Sequence, residues 1–344
     1  MEWLLITTIG RNPGDEWIRI GVQNLISKVD SQARFILLDK ESPSLIKTVV
    51  NFDKCVWCGM PVFWSHDENK NNNMPWWNEL MLGWVSERKN DFLVLGAGSF
   101  FPWDLPQETI VYKDLLEKSA RDVIERSFFV TARDSFVSTM TKTNIPAMVC
   151  PAAFSILGFE QNNELKIANL MPEGSHFKEF NPGESLIWEL KKHRIAEILR
   201  ENGFVFVAHN LLEYQFAQEN RWKDIILYNG DPYGLLKYYG RCGKYFGNRI
   251  HGAIVARGNN ADVWSIGYDS RQEAVRISGA KVSRPSELDY DQIEKWATEP
   301  IKAKPFDMEF HFNQQLEIVK KFADAKDQTN VQLRNENLQN ILAE

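Results

Sequence analysis

The sequence has no excess of positive charge. Its formal net charge is −6 over 344 residues, whereas a nucleic-acid surface is basic, so no nucleic-acid partner is expected. No apolar run approaches the length that spans a bilayer. The N-terminus lacks the basic, apolar, small-residue order of a signal peptide. The expected location is the cytoplasm, with peripheral attachment at the inner face of the membrane as the membrane option. Cysteine is scarce: Cys55, Cys58, Cys150 and Cys242 are all there are. Cys55 and Cys58 form a CxxC, but inside an apolar, strand-like run, with no second CxxC and no close His pair. Buried thiols are the expectation, a redox pair comes second, and no metal site is read. GxGxxG, short internal repeats and low-complexity tracts are absent too.

What is there suits two domains of ordinary size. Apolar residues make up 44% of the chain, enough for a real core, and twelve tryptophans is a high count. Trp3 to Ile9 is a strand-length apolar run. It ends in Gly10-Arg11-Asn12-Pro13-Gly14-Asp15-Glu16, and a helical pattern follows from Trp17 to Val29. Gly10 and Gly14 allow close backbone approach, and Asp15 or Glu16 can cap the helix. Strands are expected at Arg34 to Leu38, Cys55 to Phe63, Phe92 to Leu95, Phe128 to Ala132 and Ala147 to Cys150. Gly96-Ala97-Gly98-Ser99 is another small-residue turn at a strand's end. A polar stretch near Phe159 to Glu164 reads as a linker, and a second strand–helix series follows it. This alternation is the pattern of an α/β protein with mostly parallel sheets. The expected division is residues 1–158, 159–306 and a helical segment 307–344, with Phe310 to Leu342 as one or two helices.

The most informative stretch is Tyr245-Phe246-Gly247-Asn248-Arg249-Ile250-His251-Gly252 and the helix it enters. Tyr245-Phe246 reads as a very short strand. From Ile250, apolar residues recur at helical spacing. Arg249 and His251 therefore sit where backbone N–H groups lack helical partners and the dipole is positive. An Arg there suits a phosphate or carboxylate, because its planar fork donates two bonds at once. His251 can move a proton near neutral pH. The plainer reading is an ordinary helix start with an exposed Arg and a packed His.

Four features in order resemble the polysaccharide pyruvyl transferases. They are Asn12-Pro13-Gly14-Asp15-Glu16 after the first strand; Arg133-Asp134-Ser135 with Pro151-Ala152-Ala153-Phe154; Arg249-Ile250-His251; and Tyr268-Asp269. His209 followed by Glu213 also resembles a family position. The sequence departs from the family at Cys58-Gly59-Met60-Pro61, where a Gly-rich turn is expected, and in its aromatic first domain. The resemblance implies two Rossmann-like domains facing across a cleft, as in GT-B glycosyltransferases. It implies transfer of the enolpyruvyl group of phosphoenolpyruvate to a sugar or glycan, lipid-linked or not, as a pyruvate ketal. It implies no organic cofactor. The alternatives are a GT-B glycosyltransferase using a nucleotide sugar, and a non-catalytic glycan-binding relative. A homo-oligomer fits any of them.

On that reading the donor site is Arg249, Arg133, Asn248, Gly252, Tyr268 and Arg271. Proton transfer falls to His251, with Asp15 or Glu16 taking the hydroxyl proton. The acceptor side is Asn12, Gly14, Gly98, Ser99 and the tryptophans Trp76 and Trp77, which flank a polar loop. The plainer reading of Arg133 is an ion pair with Asp134 or another acid. For His209 a core histidine bonded to backbone is favoured over catalysis.

Overall fold

The computed structural model describes residues 1–40, 51–59, 63–64, 92–100, 123–141, 143–174 and 181–325. The first half contributes strands β1 (Glu2–Thr7), β2 (Arg34–Asp39), β3 (Lys54–Cys58), β4 (Phe63–Trp64), β5 (Phe92–Ala97), β6 (Ser99–Phe100) and β7 (Phe129–Ala132). Five form a parallel sheet in the order β2-β1-β3-β5-β7, and β4 pairs with β6. The second half contributes β8 (Leu165–Asn169), β9 (Val205–Ala208), β10 (Ile225–Leu227), β11 (Cys242–Gly247), β12 (Asp262–Ile266) and β13 (Lys281–Ser283). They form a parallel sheet ordered β10-β9-β8-β11-β12-β13. Central strands such as β5, Phe-Leu-Val-Leu-Gly-Ala, are buried along their whole length, as expected where helices cover both faces. Strand order reverses between β1 and β3 in one sheet and between β8 and β11 in the other. Ligands of open α/β sheets bind at such switch points, beyond the strands' carboxyl ends.

The helices are α1 (Pro13–Val29), α2 (Phe136–Thr141), α3 (Pro182–Glu201), α4 (Leu211–Glu219), α5 (Pro232–Tyr239), α6 (Ile250–Gly258), α7 (Glu273–Ile277), α8 (Tyr290–Thr298) and α9 (Met308–Asp324). Helix α1 starts earlier than the apolar spacing suggests. Asn12, rather than Asp15 or Glu16, is its cap: the Asn12 side chain accepts from Gly14 N at 3.0 Å. Pro13 sets this start, since its fixed φ suits the first helical position and its missing N–H costs nothing there. Asp15 and Glu16 are thereby placed inside the first turn.

Other boundaries differ for local reasons. The run expected from Cys55 to Phe63 stops at Cys58, because Gly59 takes a left-handed φ of 53°. The strand expected at Ala147 to Cys150 shrinks to one bridge, Ala132 to Ala147. Pro146 and Pro151 bracket that segment, and proline cannot donate to a ladder. After it, Pro151–Ile156 forms a 3-10 turn. The strand read as Tyr245-Phe246 is a full six residues, disguised by Gly243 and Gly247. All four cysteines are buried thiols.

The halves share one interior. A single buried apolar cluster runs from Trp3 and Trp17 through Phe154 to Tyr239, Ala253 and Val263. Helix α1 is the wedge. Trp17 Nε1 donates to Pro232 O at 3.1 Å, and Asn24 Nδ2 donates to Phe154 O at 2.8 Å. Helix α9 returns to the first sheet: Gln315 Nε2 donates to Val149 O at 2.6 Å, and Phe322 packs edge-on against Trp3. The rest of the expected C-terminal helices, past Ala325, lies outside the described residues. Each large apolar side chain buried here is worth about 2 kcal/mol, so the cleft geometry is held by packing.

Candidate active site

The β1–α1 turn and the start of α6 meet at the carboxyl edges of the two sheets. Gly14 makes the approach possible: a Cβ on it would lie 2.5 Å from His251 Nδ1. Asp15, one residue on, has Oδ1 3.9 Å from the same nitrogen. Its Oδ2 accepts from the Thr8 hydroxyl at 2.9 Å and faces Lys40 Nζ at 3.4 Å. From the end of β7, Arg133 Nη1 donates to His251 Nε2 at 2.9 Å. Arg133 lies over Gly98, where a Cβ would come within 2.4 Å of its Nε. That Nε is buried, with no hydrogen-bond partner among the described residues.

The charges set the protonation. A guanidinium only donates, so Nε2 of His251 is the acceptor and its single proton sits on Nδ1, towards Asp15. Burial, then the positive charge of Arg133, holds the imidazole down at about 3, against the pull of Asp15. Burial alone would raise the Asp15 carboxyl; Lys40, His251, the Thr8 hydroxyl and Arg133 overcome it and hold it at about 2. At neutral pH the centre is an ionised carboxylate, a neutral imidazole and a guanidinium. While Arg133 stays bonded to it, so lowered a ring is a weak base at neutral pH, and the Asp15 carboxylate lies beside the nitrogen that carries its one proton.

A sequence model of the polysaccharide pyruvyl transferases matches residues 12–270, more than half of the chain. The chain belongs to that family. No curated protein matches it in sequence. Among solved structures it is similar to a putative UDP-N-acetylglucosamine 2-epimerase from Listeria monocytogenes, with TM-score 0.55 and 10% identity, covering 96% of this chain and 98% of that one. It is also similar to S. aureus MnaA in complex with UDP, with TM-score 0.50, 9% identity and the same coverages. At this identity the likeness is one of fold: two parallel α/β layers facing across a cleft, as the GT-B expectation has it. An E. coli heptosyltransferase, WaaC, is weaker at TM-score 0.42, with 8% identity and 86% of this chain covered against 98% of that one.

Within this pyruvyl-transferase fold the sequence-expected residues fall into three groups. His251, Asp15, Arg133, Gly14 and Gly98 converge as described. Others brace the site from behind. Glu16 is turned away: it accepts from Gly10 N at 2.7 Å, from the Tyr228 hydroxyl at 3.0 Å and from Arg19 at 2.9 Å. Asn248 clamps the turn after β8, accepting from Met171 N at 2.6 Å and donating to Met171 O at 3.1 Å. Tyr268 is buried against Gly174, whose Cβ would lie 2.8 Å from its hydroxyl. Gly252 faces the hydroxyls of Tyr245 and Tyr239. Arg271 makes a bidentate pair with Asp269 at 2.8 and 2.7 Å. Ser99 donates its N–H to Asp134 and meets Ser270 Oγ across the cleft at 2.9 Å. His209 is a core histidine, though its partner is the Tyr239 hydroxyl at 3.3 Å and not backbone; burial lowers it well below the usual range. Trp57 is core, stacked on Phe92. Trp76 and Trp77 lie outside the described residues.

Two contributors were missed by the sequence reading. Lys40 follows the end of β2, and Thr8 follows β1. Both sit at strand ends beside the Gly-rich turn, and that position was the available signal. Among the described residues no three His, Cys, Asp or Glu side chains gather as a metal would need. No described helix is long and apolar enough to cross a membrane.

Proposed function

We propose that the protein transfers the enolpyruvyl group of phosphoenolpyruvate to two hydroxyls of a sugar or glycan, forming a cyclic pyruvate ketal and releasing phosphate. The observation that carries this is the Arg133–His251–Asp15 cluster, assembled from both halves at the switch points of a family member. Phosphoenolpyruvate presents a carboxylate and a phosphate, and each half supplies one arginine, Arg133 and Arg249, for them. The neutral His251 receives the proton of the attacking hydroxyl, and Asp15 balances the imidazolium so formed. That proton is delivered to the donor's methylene carbon, which becomes the methyl group. The first C–O bond forms at the adjacent carbon. Phosphate leaves with its bonding electrons, the second hydroxyl adds, and its proton departs with phosphate. An anion on the Arg133 fork competes with His251 for the same N–H and so uncovers Nε2 for this work. The aromatic stretch around Trp76 and Trp77 is assigned to the acceptor.

The test is a calorimetric titration of phosphoenolpyruvate into wild type, Arg133→Ala and Arg249→Ala, with a thermal-shift panel of nucleotide sugars alongside. Binding by wild type, weakened in both variants, is the expected result. A folded wild type that ignores phosphoenolpyruvate but is stabilised by a nucleotide sugar would replace this reading with glycosyl transfer.

A further inference from the structure

Arg249 is paired with an acid. Its Nε donates to Glu213 Oε1 at 2.6 Å, and its Nη2 bonds the same oxygen. Glu213 is fully buried in the first turn of α4. Its other oxygen accepts from His209 N at 2.7 Å and from Asn169 Nδ2 at 3.2 Å. Asn169 ends β8, His209 follows β9, and Arg249 follows β11. One carboxylate thus ties together the carboxyl ends of three adjacent strands, β9-β8-β11.

The backbone of Arg249 is held as well. The Tyr245 hydroxyl lies 3.0 Å from Arg249 O and 3.1 Å from Asn169 Oδ1. Space for that hydroxyl is kept by two glycines: a Cβ on Gly252 would come within 2.6 Å of it, and one on Gly247 within 2.9 Å. Side chain and carbonyl of Arg249 are therefore fixed by one connected network.

We infer that Glu213 is the positioning residue of Arg249, setting the direction in which its fork meets the donor's anionic group. This rests on the reading of Arg249 as part of the donor site. A buried carboxylate in contact with a guanidinium cancels much of its charge, so charge alone predicts that Glu213 weakens anion binding. Orientation predicts the opposite. Glu213 holds Nε and Nη2 from one side, so the plane of the guanidinium is set before any anion arrives. An arginine already fixed in place loses little freedom on binding.

The sign of the effect decides between the two. Phosphoenolpyruvate is titrated by calorimetry into wild type, Glu213→Gln, Arg249→Ala and the double variant, each checked for a cooperative melt. Glutamine keeps the shape but sets an amide against the N–H donors of His209 or Arg249. The expected result is binding weakened about 10-fold or more by Glu213→Gln, with less than about a 2-fold further loss in the Arg249→Ala background, since residues acting as a unit are non-additive. Unchanged or tighter binding by Glu213→Gln overturns the proposal, as does an equal loss in both backgrounds. Should Glu213→Gln not fold, Tyr245→Phe takes its place: it loosens the Arg249 carbonyl and is expected to give a smaller loss that also vanishes with Arg249→Ala, and no loss counts against the network. Silence from wild type would sink the donor reading instead. In that case the Arg249 Nε–H resonance is the readout: slow to exchange in wild type and fast in Glu213→Gln if Glu213 holds it, alike in both if it does not.

Discussion

Each sheet brings one arginine to the cleft, and the two are kept in opposite ways. Arg249 is matched to a buried acid, Glu213, and wired into three strand ends. Arg133 is set against a neutral imidazole, with bare backbone at Gly98 beneath it. The acid beside it in sequence, Asp134, faces Ser99 N at 2.8 Å, and burial pushes its carboxyl up. On the proposed function, the second half would supply direction and the first half charge. An anion would enter for Arg133 and be aligned by Arg249. The same difference would make His251 respond to a bound donor, because its ring shares an N–H of Arg133.

The largest effect is expected from Arg133→Ala. It should weaken phosphoenolpyruvate binding by at least about 100-fold, near 3 kcal/mol, as truncating a buried charged contact does. It should also loosen the hold on His251, whose ring then titrates above about 3 while burial still keeps it low. Imidazole nitrogen shifts followed through a pH series read the second effect without any ligand. A ring that titrates as in wild type would mean that Arg133 adds nothing to what burial does.

How much of this could be read from the chain follows from the range of each interaction. The strand–turn–helix at Gly10 to Val29 and the α6 start at Arg249 are written locally, in glycines and apolar spacing. So is the Asn12 cap, since Asn-Pro ahead of an acidic first turn is a start signal; reading Asp15 or Glu16 as the cap passed it over. The partners are not local. Arg249 and Glu213 are 36 residues apart, and Arg133 and His251 are 118 apart. An Arg beside a helix start looks the same whether it meets a ligand, an acid or a histidine. Glu16 shows the converse. Its place beside Asp15 suggests shared chemistry, yet successive helical residues point about 100° apart. One faces His251 and the other Tyr228.

Helix α1 holds the two edges in a fixed relation. Gly21→Ala tests that: the added Cβ would sit 1.8 Å from Pro151 O, a backbone atom with no rotamer to yield. Overpacking of this kind should cost about 2 to 3 kcal/mol and lower the melting temperature. An unchanged melt would show that α1 can slide, and the halves with it.

Acid should separate charge from direction more gently. His251 is held at about 3 in the fold against 6.5 when exposed, and Asp15 at about 2 against 3.8. Between the lowered and ordinary values the unfolded chain binds more protons, so stability rises with pH through both windows. Stability from His251 is whole above about pH 6.5 and is lost as pH falls towards 3. The loss should reach about 2 kcal/mol by pH 5. Thermal melts from pH 7 to 5 should show it, with a flatter profile in His251→Gln and in Arg133→Ala. Equal slopes in all three would assign the acid sensitivity elsewhere.

The smallest effect is expected at Tyr228→Phe, which removes the hydroxyl reaching Glu16 from the second half. Burial, and then Glu16, pushes that hydroxyl's pKa up, so it is a donor across the working range. Glu16 keeps Gly10 N on one oxygen and Arg19 on the other after the change. The loss should therefore be that of one hydrogen bond, about 1 kcal/mol, and not that of a stranded charge. Melting temperature should fall slightly, and phosphoenolpyruvate affinity should stay within about 5-fold, which is what about 1 kcal/mol amounts to if transmitted whole. A larger drop in affinity with the same small drop in stability would carry a different message. The Glu16 contact would then set where Asp15 stands relative to His251, and the first half would supply direction as well as charge.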